Sequence, residues 1–339
     1  MHDLVVDNTV YTRQEQPFRF GLWFCGNGAA STLGGLLAYG IGYIQGNLSP
    51  WRYLFVVFGA ITGVWGLVML GIVPDSPCTA RWLSQSQRKV AVQRVETHDR
   101  RATKTRFRMY QAIEAFRDPS IWFLALYVFC VNIANGGLTA FGSLVIQGFG
   151  YKGLQALLIQ MPTGGAQFVF IIVSTSLCSL LPNVRVVVMM CLTIISMIGI
   201  VLMYALDPTN QAGLLAGFCL SLAFAANMPL GLSLVASNVG GFTKKAVANA
   251  CVLVAYCIGN ITGPQFFKLE EAPNYHRGIK ACLAGFCLGV FWLVCLLAYL
   301  VWQNKSRKSE LHDSNESPTH LVPADDKTDW EVQGYRYTL

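Results

Sequence analysis

The chain has 339 residues, 53% of them hydrophobic and 13% charged, and a formal net charge of +7. Soluble domains carry about 25% charged residues; that deficit and a mean hydropathy of +0.44 exclude an ordinary soluble globular domain. Nor does the positive balance indicate nucleic-acid binding, because ten Lys and Arg residues crowd into one stretch, Asp75–Arg117, against four acids.

Residues 1–17 form a polar, cytoplasmic leading segment, in which Asp3, Asp7, Arg13 and Glu15 leave no apolar core for a signal peptide. Eight apolar runs of 22 or more residues follow: Phe18–Ile44, Trp51–Val73, Ile121–Phe149, Leu154–Leu181, Val184–Leu206, Ala212–Val239, Ala246–Phe267 and Ala281–Trp302. About 20 apolar residues cross a bilayer as a helix, so eight in succession predict an all-α polytopic membrane protein. The only charges in these runs are Arg19, Arg52 and Arg185, each in a first turn. Of the eleven cysteines, all but Cys78 fall inside the runs at irregular spacing, as small buried hydrophobes rather than a disulfide or zinc framework.

The first two spans occupy residues 18–73. Within them Ala30, Gly34, Ala38 and Gly42 recur every fourth residue, a seam expected to pack closely against another helix. The connector contains the sequon Asn47-Leu48-Ser49. Asn47 is the candidate glycosylation site, expected to stay unmodified because it lies close to the membrane and is followed by Pro50. Residues 74–120 form the basic central loop, which the preference of Lys and Arg for the inner face places in the cytoplasm together with both termini. There Trp82, Val90 and Val95 lie among basic residues, a pattern for a surface helix, either on the anionic leaflet or solvated.

Six spans occupy 121–302, and four of them carry amides beside Gly or Pro. Asn132, Asn135, Thr139 and Ser143 lie on one helix face, and Gly136-Gly137 is expected to let that helix bend. Gln160, Thr163, Gln167 and Ser174 make a second stripe, with Pro162 breaking its first turn. Asn227 stands near Pro229, and Asn249, Tyr256 and Asn260 align ahead of Gly263-Pro264. Such amides can act as glue between helices. Stripes on four helices instead predict a water-filled cavity at mid-membrane, with Asn132, Asn135, Thr139, Gln160, Gln167, Asn227, Tyr256 and Asn260 along the substrate pathway. Residues 303–339 form a polar cytoplasmic tail.

Several stretches carry a resemblance: "YTRQEQPFRFGLWFCGNG" (Tyr11–Gly28), "LSPWRYLFVVFGAIT", "VPDSP" (Val73–Pro77), "NIANGGLTAFGSLVIQGFG", "QMPTGG" (Gln160–Gly165), "ASNVGGFTKKAVANA" (Ala236–Ala250), "GNITGPQFF" (Gly259–Phe267), "EAPNYHRG" (Glu271–Gly278) and the terminal "TDWEVQGYRYTL". Together they resemble the fungal major facilitator transporters of the allantoate permease-like group, the anion:cation symporters. The resemblance implies a twelve-helix fold in which the eight runs correspond to helices five to twelve, the first four being absent. It also implies a multi-pass protein, of the plasma membrane, with a small organic anion as substrate and protons as coupling ion. Within that frame three alternatives stand: uptake of the anion, export of a secondary metabolite linked to a biosynthetic pathway, and an inactive truncated transporter. No nucleophile–base set, metal spacing or phosphate-binding loop points to an enzyme. No cofactor, metal, nucleic-acid or protein partner is expected; the partners are the substrate and the bilayer.

Overall fold

The computed structural model describes residues 16–44, 47, 49–72, 84–88, 107–151, 155–207, 209–272, 275–314, 326–332 and 335–339, and among them the regular structure is entirely helical. The helices are α1 (Gln16–Gly42), α2 (Pro50–Ile72), α3 (Met109–Arg117), α4 (Pro119–Gly148), α5 (Gln155–Leu180), α6 (Arg185–Ala205), α7 (Gln211–Ser221), α8 (Asn227–Asn238), α9 (Phe242–Thr262) and α10 (His276–Ser314). Seven membrane-length apolar segments are present among the described residues: α2, α4, α6, α9 and α10 with their extensions, most of α5, and α7 continued by α8. The eighth predicted span, α1, is helical over 27 residues but carries Arg19, Asn27, Ser31, Thr32 and seven glycines, and it is not among these apolar segments. Trp82, Val90 and Val95 of the central loop lie outside the described residues; within the loop a helical turn at 85–88 and α3 are seen.

Local chemistry sets the breaks. Asp118 caps α4 by accepting the Ser120 amide, with Pro119 at the first helical position. The span 212–239 is not one helix. A 3-10 turn at Ala223–Ala226 separates α7 from α8, as expected where Pro229 cannot donate to a carbonyl one turn back and its ring crowds that turn. The Phe224 amide, released from the helical ladder, donates instead to Ser196 Oγ at 2.7 Å. The expected break at Pro162 does not occur, since α5 runs through it. α4 likewise continues unbroken through Gly136-Gly137 to Gly148. The glycines serve close approach instead. A Cβ on Gly136 would strike the Asn260 backbone, and one on Gly259 would lie 2.6 Å from the Phe129 carbonyl, so α4 and α9 touch backbone to backbone.

α4, α6, α9 and α10 and the α7–α8 pair form the body, with a continuous core that includes Tyr127, Val131, Met189, Leu230, Phe286 and Leu293. The leading pair is held differently. α1 lies along α5 through Gly28, where a Cβ would come within 3.0 Å of the Gly164 carbonyl, and through Thr32, which donates to the Met161 carbonyl. Gly34, a residue of the expected seam, has open space where its Cβ would stand, while Ala38 and Gly42 are half-buried. α2 has no buried residue.

α10 extends well past Trp302, and the chain's end returns to the bundle, so the last residues are no loose polar tail. Asn238 and Thr338 exchange two hydrogen bonds of 2.8 Å, Asn304 and Tyr337 exchange two more, and the Arg185 amide donates to the Leu339 carbonyl. Tyr335, buried, donates to the Ser237 carbonyl at 2.6 Å.

Candidate functional site

A small open cleft of about 50 Å³ lies among α1, α4, α5, α8 and α9. Asn132 and Asn135 reach it from α4, Gln167 from α5, Asn227 and Met228 from α8, and Tyr256 from α9; Phe24, Asn27, Tyr127 and Phe224 complete its polar and aromatic lining. No lining residue is ionisable at neutral pH.

The amides form two hydrogen-bonded groups. In the first, Asn135 Nδ2 donates to Asn260 Oδ1 at 2.8 Å, Asn260 Nδ2 donates to Asn132 Oδ1 at 3.2 Å, and Asn132 Nδ2 donates to the Val128 carbonyl at 2.7 Å. The relay runs from the cleft back into α4 and is possible because the glycine contacts hold α4 against α9. In the second group, Asn227 Nδ2 donates to Tyr127 Oη at 2.6 Å, to Thr193 Oγ1 at 3.1 Å and to the Met189 carbonyl at 3.2 Å. The Thr193 hydroxyl itself turns back to the Met189 carbonyl at 2.8 Å. A carbonyl only accepts, so the Met189 contact fixes which end of the Asn227 amide carries the protons. Asn227 Oδ1 is left buried without a partner.

Of the residues expected along the pathway, Asn132, Asn135, Gln167, Asn227 and Tyr256 meet in this cleft, and Asn260 joins two of them from behind. Thr139 is exposed and lies outside the lining. The Gln160 side chain lies outside the described residues. Asn47 is exposed. Phe24 and Asn27 were not expected from the sequence, because α1 reads there as a packing helix; Asn27 in "CGNG" was the available signal. Tyr127 and Phe224 read as ordinary aromatic core.

A second polar centre sits at the bundle end where α4 and α9 begin. Lys244 Nζ, with its side chain 0% exposed, meets Glu114 at 2.9 Å, Asp118 at 2.9 Å and Asp329 at 2.8 Å. Its three donors are thus matched by three carboxylates, two from the junction of α3 and α4 and one from the C-terminal segment. Trp330 covers it, with the ammonium 4.6 Å from the ring centre. Asp329 also accepts from the Gly240 amide and the Tyr337 hydroxyl. Burial, with Asp329 alongside, pushes the Tyr337 phenol well above its usual range. Arg307 donates to the Asp329 and Tyr335 carbonyls and to Tyr337 Oη. The sequence showed Lys244 only as one of two basic residues in a turn. This centre fastens the chain's end to the body and is enclosed, unlike the cleft.

The sequence profile of the Major Facilitator Superfamily matches residues 8–264. An uncharacterized transporter of Schizosaccharomyces pombe, C757.13, is 32% identical over 329 residues, covering 96% of this chain and 63% of that protein. The allantoate permease of Saccharomyces cerevisiae is 29% identical over 345 residues, covering 99% of this chain and 64% of the permease. The chain therefore spans slightly under two thirds of the length of these relatives. Among solved structures, the proton:xylose symporter XylE aligns over 86% of this chain and 66% of its own, with a TM-score of 0.59 and 18% identity.

Proposed function

Since this chain belongs to the Major Facilitator Superfamily, we propose that it supplies the six-helix half and two further helices of a secondary transporter that moves a small organic anion with protons by alternating access. The observation that carries this reading is the cleft, where amides from four helices converge on open space in a membrane-length bundle. A side-chain amide in hydrocarbon costs several kcal/mol unless partnered, and the cleft gives these amides one another, water and substrate.

Two observations support a larger transporting unit, in which four more helices close the open side of the cleft. The relatives are longer than this chain. In addition, Gly34 on α1 and Gly59, Gly63 and Gly66 on α2 present bare faces with nothing within 4 Å of an added Cβ. The eight helices here then stand as helices five to twelve, the Lys244 end faces the cytoplasm, and the protein sits in the plasma membrane. Membership of the allantoate permease-like group follows the resemblance in sequence and the permease among the relatives.

The test is uptake in a transporter-deleted yeast strain. The chain extended to the length of its relatives should take up a small organic anion with proton entry, and Asn135→Leu should reduce that uptake at least tenfold. Full uptake by the Asn135→Leu protein would remove the cleft from the pathway.

A further inference from the structure

We propose that α3 is a docking surface for an anionic phospholipid leaflet at the Lys244 end of the bundle, its apolar face seated among acyl chains and its basic residues at the headgroups. On the topology proposed above this is the inner leaflet, where anionic lipid is held.

α3 is inside out for a helix in water, which would turn its apolar side to the protein. Here the inward side is polar. The Gln111 side chain, buried, accepts the Thr243 amide and donates to the Asp326 carbonyl. Glu114 meets Lys244 and accepts from the Thr328 hydroxyl, while Ala112 and Ala115 fill the rest of that side. The outward side is apolar. Met109, Ile113 and Phe116 share one helical face and are exposed, Met109 by 66% and Phe116 by 55%, and Phe107 just before them is 69% exposed. The inward hydrogen bonds hold the helix in this orientation.

Its position names the occupant. Trp122, exposed in the first turns of α4, donates its indole N–H to the Phe116 carbonyl at 2.8 Å, so the apolar face of α3 runs on to the outer surface of the bundle. Val131, which lines the cleft, follows Trp122 by nine residues, two and a half helical turns, and lies on the opposite side of α4. Helices that close the open cleft therefore approach α4 away from Trp122 and leave α3 to lipid. A ring exposed to lipid with its N–H satisfied suits headgroup depth.

Charge selects the lipid. Arg108, which lies 3.6 Å from Asp326, and Arg117 are exposed at the two ends of the apolar face. The sequence entering that face carries Arg100, Arg101, Lys104 and Arg106, with no acid between Arg100 and Arg108. The acid of α3 itself, Glu114, is turned inward to Lys244. Basic residues beside an inserted apolar face add attraction to anionic lipid.

The experiment places a bimane label on single cysteines at Ile113 and at Phe116 of the full chain, in a cysteine-free background. The purified protein is put in nanodiscs of phosphatidylcholine, alone or mixed with phosphatidylserine. Lipid carrying a nitroxide near the headgroup should quench both labels more strongly than aqueous iodide, by at least about twofold. Phosphatidylserine should deepen the lipid quenching, and Arg117→Gln or high salt should reduce that gain. Quenching by iodide alone would overturn the proposal by placing the face in water. Protection from both quenchers in a chain extended to the relatives' length would overturn it in favour of cover by added helices. Equal lipid quenching in the two mixtures would overturn the anionic selection. A second measurement needs no variant: photoactivatable phosphatidylserine should cross-link to residues 107–122 of the unaltered chain, and cross-links confined to other segments would overturn the assignment to α3.

Discussion

The six-helix body and the leading pair α1–α2 have similar composition and different anchorage. In the body, apolar runs are interrupted where chemistry requires contact: glycines seat α4 on α9, Ser196 catches the amide released at the α7–α8 break, and Lys244 draws three chain segments together. α1 is seated on α5 through Gly28 against Gly164, Gly21 against Thr175 and the Thr32 hydrogen bond to the Met161 carbonyl, whereas no glycine of α2 has an atom within 4 Å of an added Cβ and Leu70 is 83% exposed. Hydrophobicity puts a segment in the bilayer. It does not choose the neighbour, because lipid tails are as apolar as Leu. What fixes neighbours here is close backbone approach and buried polar pairing, which the body and the α1–α5 contact share and the glycines of α2 do not show.

The largest effect should come from breaking the body's polar fastening. Lys244→Met leaves Glu114, Asp118 and Asp329 facing one another without their shared cation. Loss of one partner from a buried ion cluster costs about 3–5 kcal/mol. Thermal unfolding of the purified chain should show a large drop in Tm, partly recovered when Asp329→Asn is added. An unchanged Tm would mean that the cluster does not hold the chain's end.

An intermediate effect is expected at the α1–α5 contact. Gly28→Leu forces side-chain atoms against the Gly164 carbonyl and Phe168 backbone, an overpacking cost of about 1–3 kcal/mol. The damage should stay local. Cys25, 3% exposed beside that contact, should become reactive to maleimide, while the body's unfolding transition stays where it was. Protection of Cys25 in the variant would show that α1 is held by something other than this contact.

The smallest effect belongs to α2. Gly63 has nothing within 4 Å of an added Cβ, so Gly63→Leu should change the stability of this chain by less than about 0.5 kcal/mol. In the chain extended to the relatives' length, the same substitution should lower Tm measurably if added helices pack on that face. Indifference in both forms would count against a packed partner for α2.

The spans were legible because bilayer thickness imposes a length that composition cannot hide. Seven of the eight expected spans are membrane-length apolar segments among the described residues; α1 is helical but less apolar, for the same glycines and amides that let it pack. The amide faces of α4 and α9 were readable from helical spacing, since Asn132, Asn135 and Asn260 do meet. Thr139, from the same stripe, lies outside the lining, because spacing gives a face and not the reach of the neighbour that closes it. Pro229 marks the break before Asn227 in the sequence, but the acceptor for the released Phe224 amide, Ser196 on a neighbouring helix, is encoded by no local pattern. The docking of Asp329, Tyr335 and Tyr337 was hidden for a similar reason: "TDWEVQGYRYTL" reads as polar until Lys244 and Arg307 are placed beside it.

The central claim is that the amides of α4, α8 and α9 face water rather than merely join helices. It is tested by thiol accessibility, in a cysteine-free background, of single cysteines at Asn135, Met228 and Tyr256, against Ile261 on the outer face of α9, which is 69% exposed on the bundle's surface. In nanodiscs a charged, membrane-impermeant methanethiosulfonate should modify the three cleft positions and leave the Ile261 position, covered by lipid, unmodified. Modification at Ile261 with protection at Asn135, Met228 and Tyr256 would contradict it.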